Sequence, residues 1–251
     1  MNKYGLVGFP LAHSFSRSFF TEKFRNEQID AEYLNFEIED ISHIREIVLS
    51  NPELKGLNVT IPHKESVVSF LHAITVEAKK IGAVNAIKIK RTANGKPALL
   101  GFNTDYIGFK ASILPLLRPE IHTHALILGT GGASKAVAQA LTDLELDWKY
   151  VSRTKNENQF TYSQLTSDIL SKYTVIINAS PLGTFPNVDE CLPIPYEFLT
   201  PNHLLYDLVY NPAETLFLKK GAERGAMVKN GLKMLELQAL AAWEIWISEL
   251  I

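Results

Sequence analysis

Short apolar runs alternate along this chain with longer stretches whose apolar residues recur at helical spacing, over nearly its whole length. That alternation predicts strands joined by crossover helices, and hence an α/β fold on largely parallel sheets. In the first part, "KYGLVG", "EYLNFEI", "LKGLNVTI", "VNAIKIK" and "PALLGFN" read as strands, with "SFSRSFFTEKFRNEQ" and "ISHIREIVLS" as helices. A further helix is expected to begin near His63, and Asn94-Gly95 signals a two-residue hairpin that makes this first sheet mixed. "DYIGFKASILPLL" has helical spacing until Pro115, and "RPEIHTH" then marks a domain boundary. From Ala125 the alternation resumes with "ALILGTGGAS", "KAVAQALTDL", "WKYVSRT", "TVIINAS", "LLYDLVY" and "AMVKNG", a predominantly parallel second sheet. The last segment, "GLKMLELQALAAWEIWISEL", is the most regular helix and is expected to pack back on the first domain. The division is therefore 1–105 plus about 232–251 for the first domain and 106–231 for the second.

Composition narrows the partners. With 46% hydrophobic and 21% charged residues, a formal charge of -2 and no run of five like charges, neither nucleic acid nor an anionic membrane surface is expected. No apolar run reaches the ~18 residues that span a bilayer, so a soluble, cytoplasmic protein is expected. The lone Cys191 leaves no disulfide framework and no Cys-rich zinc site, and fits a reducing compartment. His122 and His124 can share one strand face, but they lack a third ligand, and no metal is expected.

Candidate chemistry begins at "ALILGTGGAS", where Gly129, Gly131 and Gly132 follow four apolar residues and precede a helix. Glycines in that context permit a tight turn and bring backbone N–H groups to a pyrophosphate at the positive end of the helix dipole. Ser134 stands where the third glycine of the common fingerprint would be. About 20 residues further on, an acidic side chain would bind the ribose of NAD. Here the strand tip reads Ser152-Arg153-Thr154-Lys155, without a carboxylate, and Arg153 suits a 2′-phosphate. NADP(H) is the expected cofactor.

A nicotinamide enzyme reducing a ketone must also deliver a proton to oxygen. Lys64, in "GLNVTIPHKESV", sits where a helix N-terminus is expected, a place that disfavours a cation unless it has a task or a partner. Asp105, in "GFNTD", is a candidate partner. Ser14 and Ser16 in "GFPLAHSFSR" suit a small anion such as a carboxylate, and equally suit capping the helix that starts there.

Taken in order, "GFPLAHSFS", "GLNVTIPHK", "IGAVNAI", "GFNTD", "GTGGASKA", "SRT", "NASPLGT", "DLVYNP" and "NGLKMLELQA" resemble the shikimate dehydrogenase family over essentially the full chain. The resemblance implies reversible NADPH-dependent reduction of 3-dehydroshikimate to shikimate, within aromatic amino acid biosynthesis. It implies Lys64 and Asp105 as the catalytic pair, Ser14 and Ser16 at the substrate carboxylate, and Thr60, Lys64, Asn85, Asp105 and Gln238 around the ring hydroxyls. Tyr210 would lie between substrate and nicotinamide. The cofactor would be held by Gly129, Thr130, Gly131, Gly132, Ala133 and Ser134 at the pyrophosphate. Ser152, Arg153 and Thr154 would take the adenosine phosphate, and Ala179, Leu208 and Gly231 the nicotinamide half. Glu157, where relatives often carry a second basic residue nearby, opposes a 2′-phosphate. A dehydrogenase using quinate as well, with either nicotinamide cofactor, and a non-catalytic ligand-binding homologue are the alternatives, and monomer and homodimer both remain open.

Overall fold

A computed structural model describes residues 1–11, 15–92, 94–154, 156, 157 and 159–249. The chain divides into two compact units, Met1–Thr104 with Ala239–Ile251, and Asp105–Gln238.

The first unit opens with β1 (Asn2–Gly8), α1 (Phe15–Asn26), β2 (Ala31–Glu37), α2 (Ile44–Ser50) and β3 (Leu54–Val59). It continues with β4 (Ala73–Ile74), α3 (Val76–Ile81), β5 (Ala86–Arg91) and β6 (Pro97–Phe102). The strands form one six-stranded sheet in the order β2-β1-β3-β5-β6-β4, in which β5 runs antiparallel to both β3 and β6. The sheet is therefore mixed, as its hairpin requires. The turn itself is wider than two residues. Thr92 N–H donates to Lys96 O at 3.0 Å, Gly95 N–H donates to Thr92 O at 2.8 Å, and Gly95 takes the left-handed conformation, at φ +74°.

The second unit contains α4 (Thr104–Ile113, from Asp105 on), β7 (His124–Leu128), α5 (Gly132–Asp143), β8 (Asp147–Ser152), β9 (Gln159–Thr161) and α6 (Ser167–Lys172). Then follow β10 (Val175–Asn178), β11 (Leu204–Asp207), α7 (Leu216–Ala222) and β12 (Met227–Lys229). Its strands run parallel in the order β12-β11-β10-β7-β8-β9. Leu126, Ile127, Leu128, Val175, Ile176 and Ile177 are fully buried, as strands covered on both faces by helices must be. The order reverses between β7 and β10, and in such sheets the crevice outside the carboxyl ends at that point is the usual binding place.

The closing helix, α8 (Leu232–Ile247), contributes its first two turns to the second unit and the remainder to the first. In the second unit Gly108 admits the α8 backbone, since a Cβ there would lie 2.8 Å from Gln238 N. In the first unit Ala239, Ala242, Trp243 and Trp246 join Tyr4, Phe20, Phe24 and Tyr33 in one aromatic layer. Phe20 stacks on Tyr33 with ring centroids 4.8 Å apart, and Trp246 Nε1 donates to Ile87 O at 3.0 Å. The buried Lys88 ammonium donates to Ile245 O at 2.9 Å and to Ser248 O, so a cation terminates the helix where its dipole is negative. Burial lowers the pKa of that ammonium.

Candidate active site

The glycine loop lies at the reversal point of the second sheet. Gly129 follows β7 at φ +108°, a conformation that strains any L side chain, and a Cβ there would stand 3.3 Å from the Ala179 backbone. Beside Gly131 the space is open, with nothing within 4 Å of where a Cβ would be. Gly131 is also the N-cap of α5 and provides no capping side chain. Around this loop is a cavity of about 780 Å³, lined by Gly129, Thr130, Gly131, Ser152, Arg153, Thr154 and Ala179 among others. Backbone that side chains do not crowd, a helix N-terminus and an exposed arginine together fit a dinucleotide phosphate chain. Ser134 takes no part in the lining: it is fully buried, and its hydroxyl donates to Gly131 O at 2.6 Å. The lining residues beyond the expected set include Asn156, Gln159 and Tyr162 from the polar stretch after β8 and Ser180, Pro181 and Leu182 from the loop after β10. Burial raises the Tyr162 pKa, against the opposing pull of the Arg153 guanidinium.

A buried carboxylate organises the neighbouring loops. Asp207, at the end of β11 and fully buried, accepts hydrogen bonds from Thr215 Oγ1 at 2.6 Å, Asn178 Nδ2 at 2.9 Å and Val209 N at 3.0 Å. Asn178 Oδ1 in turn accepts from Ser180 N at 2.9 Å and from Ser180 Oγ at 2.7 Å. Burial pushes the Asp207 carboxyl up to about 6, although its three hydrogen bonds pull the other way. This network ties down both loops that carry the expected nicotinamide contacts, Ala179 after β10 and Leu208 after β11. Gly231 lies against Leu208 so closely that a Cβ would overlap the Leu208 carbonyl.

The first unit collects its candidates at one sheet edge. Thr60 follows β3, Asn85 precedes β5 and Thr104 follows β6. Asn85 Oδ1 accepts from Thr104 N at 2.6 Å, its Nδ2 donates to Thr104 Oγ1 at 3.0 Å, and its carbonyl accepts from Asn58 Nδ2 at 3.3 Å. Tyr33 donates to Asn58 Oδ1 at 2.7 Å and shares a second hydrogen bond with Ser16 at the start of α1. Ser16, Tyr33, Asn58, Asn85 and Thr104 thus form one polar chain, buried from Tyr33 onward, whose hydrogen bonds join amides and hydroxyls. Ser14 lies outside the described residues.

Lys64 is half-buried at the same edge, and its carbonyl accepts from Val84 N at 2.8 Å. It does not start an α-helix. The segment that follows is a five-residue 3₁₀ helix, Ser66–Phe70, so the ammonium faces a shorter run of aligned peptides than the expected α-helix would bring. The adjacent β-branched Val67 and Val68, both poor helix formers, stand at its centre. Asp105 is buried in the first turn of α4. Gln238, also buried, donates to Leu235 O at 3.0 Å, and Tyr210 is 39% exposed. His122 is committed elsewhere, accepting from Arg118 N on Nδ1 at 2.9 Å and donating from Nε2 to Asn202 O at 3.1 Å. Among the described residues no group of three metal-ligating side chains occurs, and no helix is long and apolar enough to cross a membrane.

A parallel sheet with a glycine loop at its reversal point, beside a basic turn, together with a second α/β unit presenting a polar edge, defines a nicotinamide-dinucleotide-dependent dehydrogenase. The profile of the "Shikimate dehydrogenase substrate binding domain" matches residues 6–87. The NADP(+) shikimate dehydrogenase of Clostridium beijerinckii is 37% identical over 98% of this chain and 92% of its own. The chain belongs to the shikimate dehydrogenase family. Among solved structures, a chorismate mutase/shikimate 5-dehydrogenase fusion protein from Clostridium acetobutylicum superposes with a TM-score of 0.85 at 38% identity, covering 98% of this chain and 91% of the other. A shikimate dehydrogenase in complex with NADP+ does so with 0.82 at 32% identity, covering 98% and 90%.

Proposed function

We propose that this chain catalyses the reversible NADPH-dependent reduction of 3-dehydroshikimate to shikimate in the cytoplasm, on the route to aromatic amino acids. The observation that carries this reading is near-full-length identity to enzymes of that name, in a chain that retains both a lysine and an aspartate at the expected places. When bound, the reduced nicotinamide supplies the hydride to the carbonyl carbon. Lys64 gives a proton to the oxygen in the reductive direction and takes it back in the other, with Asp105 as its carboxylate partner. Ser14 and Ser16 take the substrate carboxylate, and Thr60, Asn85 and Gln238 take ring hydroxyls, with Tyr210 between ring and nicotinamide. A site built from such hydrogen-bonding groups rejects a ring that lacks a matching hydroxyl. Gly129, Thr130, Gly131, Gly132, Ala133 and Ser134 supply the loop for the pyrophosphate, Ser134 by fixing its shape from inside. Arg153 takes the 2′-phosphate end, from a turn that Ser152 and Thr154 shape, and Ala179, Leu208 and Gly231 flank the nicotinamide.

The test follows reduced-nicotinamide absorbance with shikimate or quinate and with NADP or NAD. Turnover of shikimate with NADP exceeding the other three combinations is expected. Equal turnover of quinate would place the chain with the broader dehydrogenases, and no turnover in any combination would overturn the reading.

A further inference from the structure

The 152–154 turn is held by a side chain from β9, and that arrangement changes what each of its residues can do. Ser152 Oγ donates to Thr154 O at 2.7 Å and accepts from Thr154 N at 3.2 Å and from Gln159 Nε2 at 2.8 Å. A hydroxyl has one proton and two lone pairs, so Ser152 has nothing left to offer a ligand in this arrangement. Gln159 Nε2 also donates to Thr154 O at 2.8 Å, so one amide group closes both ends of the turn. The carbonyl acceptor fixes which amide atom faces the turn, since an oxygen there would be repelled. Gln159 is itself fixed. It is half-buried, opens the edge strand β9 opposite Tyr150 of β8, and lines the same cavity as Arg153.

We propose that Gln159 is the positioning residue for cofactor selectivity: by clamping Ser152 and Thr154 it presets the turn that offers Arg153 to the ribose 2′-phosphate. This rests on the NADP reading given above. Arg153 is exposed on a polar loop, and an arginine there loses much side-chain and loop freedom when it grips a phosphate. A turn already closed by four side-chain hydrogen bonds leaves less freedom to be lost. The benefit goes only to a ligand that carries the 2′-phosphate, because the rest of the dinucleotide rests on the glycine loop.

Adenosine 2′,5′-bisphosphate and 5′-AMP, titrated calorimetrically into the wild-type chain and the Gln159→Leu variant, separate the two ligand parts without any turnover. The wild type is expected to favour the bisphosphate. In the variant, affinity for the bisphosphate should fall about 10-fold, with less than about a twofold change for 5′-AMP. Gln159→Glu, which turns the two donors into a carboxylate, should fall further. A wild type that prefers the bisphosphate and a variant that keeps the same ratio would overturn this inference alone. Equal loss of both ligands would do so as well, since it would make Gln159 a general support of the fold. A wild type without preference overturns the NADP reading and this inference with it. Should Gln159→Leu fail to fold by its thermal transition, Gln159→Met, of similar length and without a donor, decides the question on the same ratio.

Discussion

The polar edges of the two sheets are built on opposite plans. In the first unit the proposed recognition groups are side chains, two of which, Ser16 and Asn85, belong to a chain of neutral hydrogen bonds running through Tyr33 and Asn58 to Thr104. In the second, the proposed recognition surface includes the open backbone of Gly129 to Gly131, and its neighbouring loops are anchored by one buried carboxylate, Asp207. Neutral pairs cost little desolvation and fix side-chain direction, which suits a small ring with several hydroxyls. Bare backbone suits a phosphate chain, which needs N–H groups and close approach rather than shape-specific side chains. The difference teaches that the loops of the second edge are anchored through one ionisable group, whereas the hydrogen bonds from Ser16 to Thr104 join neutral groups.

Substitutions can break that contrast. Asp207→Ala leaves three buried donors without their acceptor, and a loss of about 3 kcal/mol of unfolding free energy is expected by denaturant titration. A loss below about 1 kcal/mol would remove the carboxylate from its anchoring role. The same group sets a pH dependence. Its folded pKa of about 6 lies above the ordinary 3.8, so the native state holds the proton more tightly. Stability from that proton is fully present below about pH 4 and is lost as pH rises through about 6. The stability of wild type relative to Asp207→Asn should therefore decline by up to about 3 kcal/mol between pH 4 and 7, and a difference that stays flat would contradict the assignment. Lys64→Ala should lower kcat by ~10² or more with a modest change in KM, as removal of an acid–base group does, and an unaltered kcat would eliminate the proposed proton donor. Arg153→Ala should weaken NADPH by roughly 10-fold or more and NADH little, measured as the ratio of KM values. The smallest effect tests the neutral edge: Tyr33→Phe should cost about 1 kcal/mol, and a much larger cost would mean the first edge also carries charge-like dependence.

The two plans also differ in how far the sequence discloses them. "ALILGTGGAS" is readable because a job done by backbone leaves a compact signature, apolar strand, glycines and helix within about a dozen residues. The parallel and mixed sheets were readable for a similar reason, through apolar runs, and Gly95 announced its turn although not the width of that turn. The chain from Tyr33 to Thr104 gave no such sign. Its members are 25, 27 and 19 residues apart, and only the sheet order brings them together. Asp207 was hidden inside "LLYDLVY", where a single acidic residue at a strand end reads as a turn residue. Gln159, Phe160 and Thr161 make a strand too short and too polar for periodicity to register, so β9 and its clamp lay within a stretch read only as polar. At Lys64 a helix start was expected where Val67 and Val68 support only a 3₁₀ turn.

One unit is interrupted in sequence by the other, and that has a consequence for synthesis. The aromatic layer of Tyr4, Phe20, Phe24 and Tyr33 waits for Trp243 and Trp246, which leave the ribosome some two hundred residues later. The inserted unit, contiguous from Asp105 to Gln238, has all its strands beforehand. Until that helix emerges, the growing polypeptide carries an uncovered greasy face, the kind of exposed surface that chaperones shield in nascent chains.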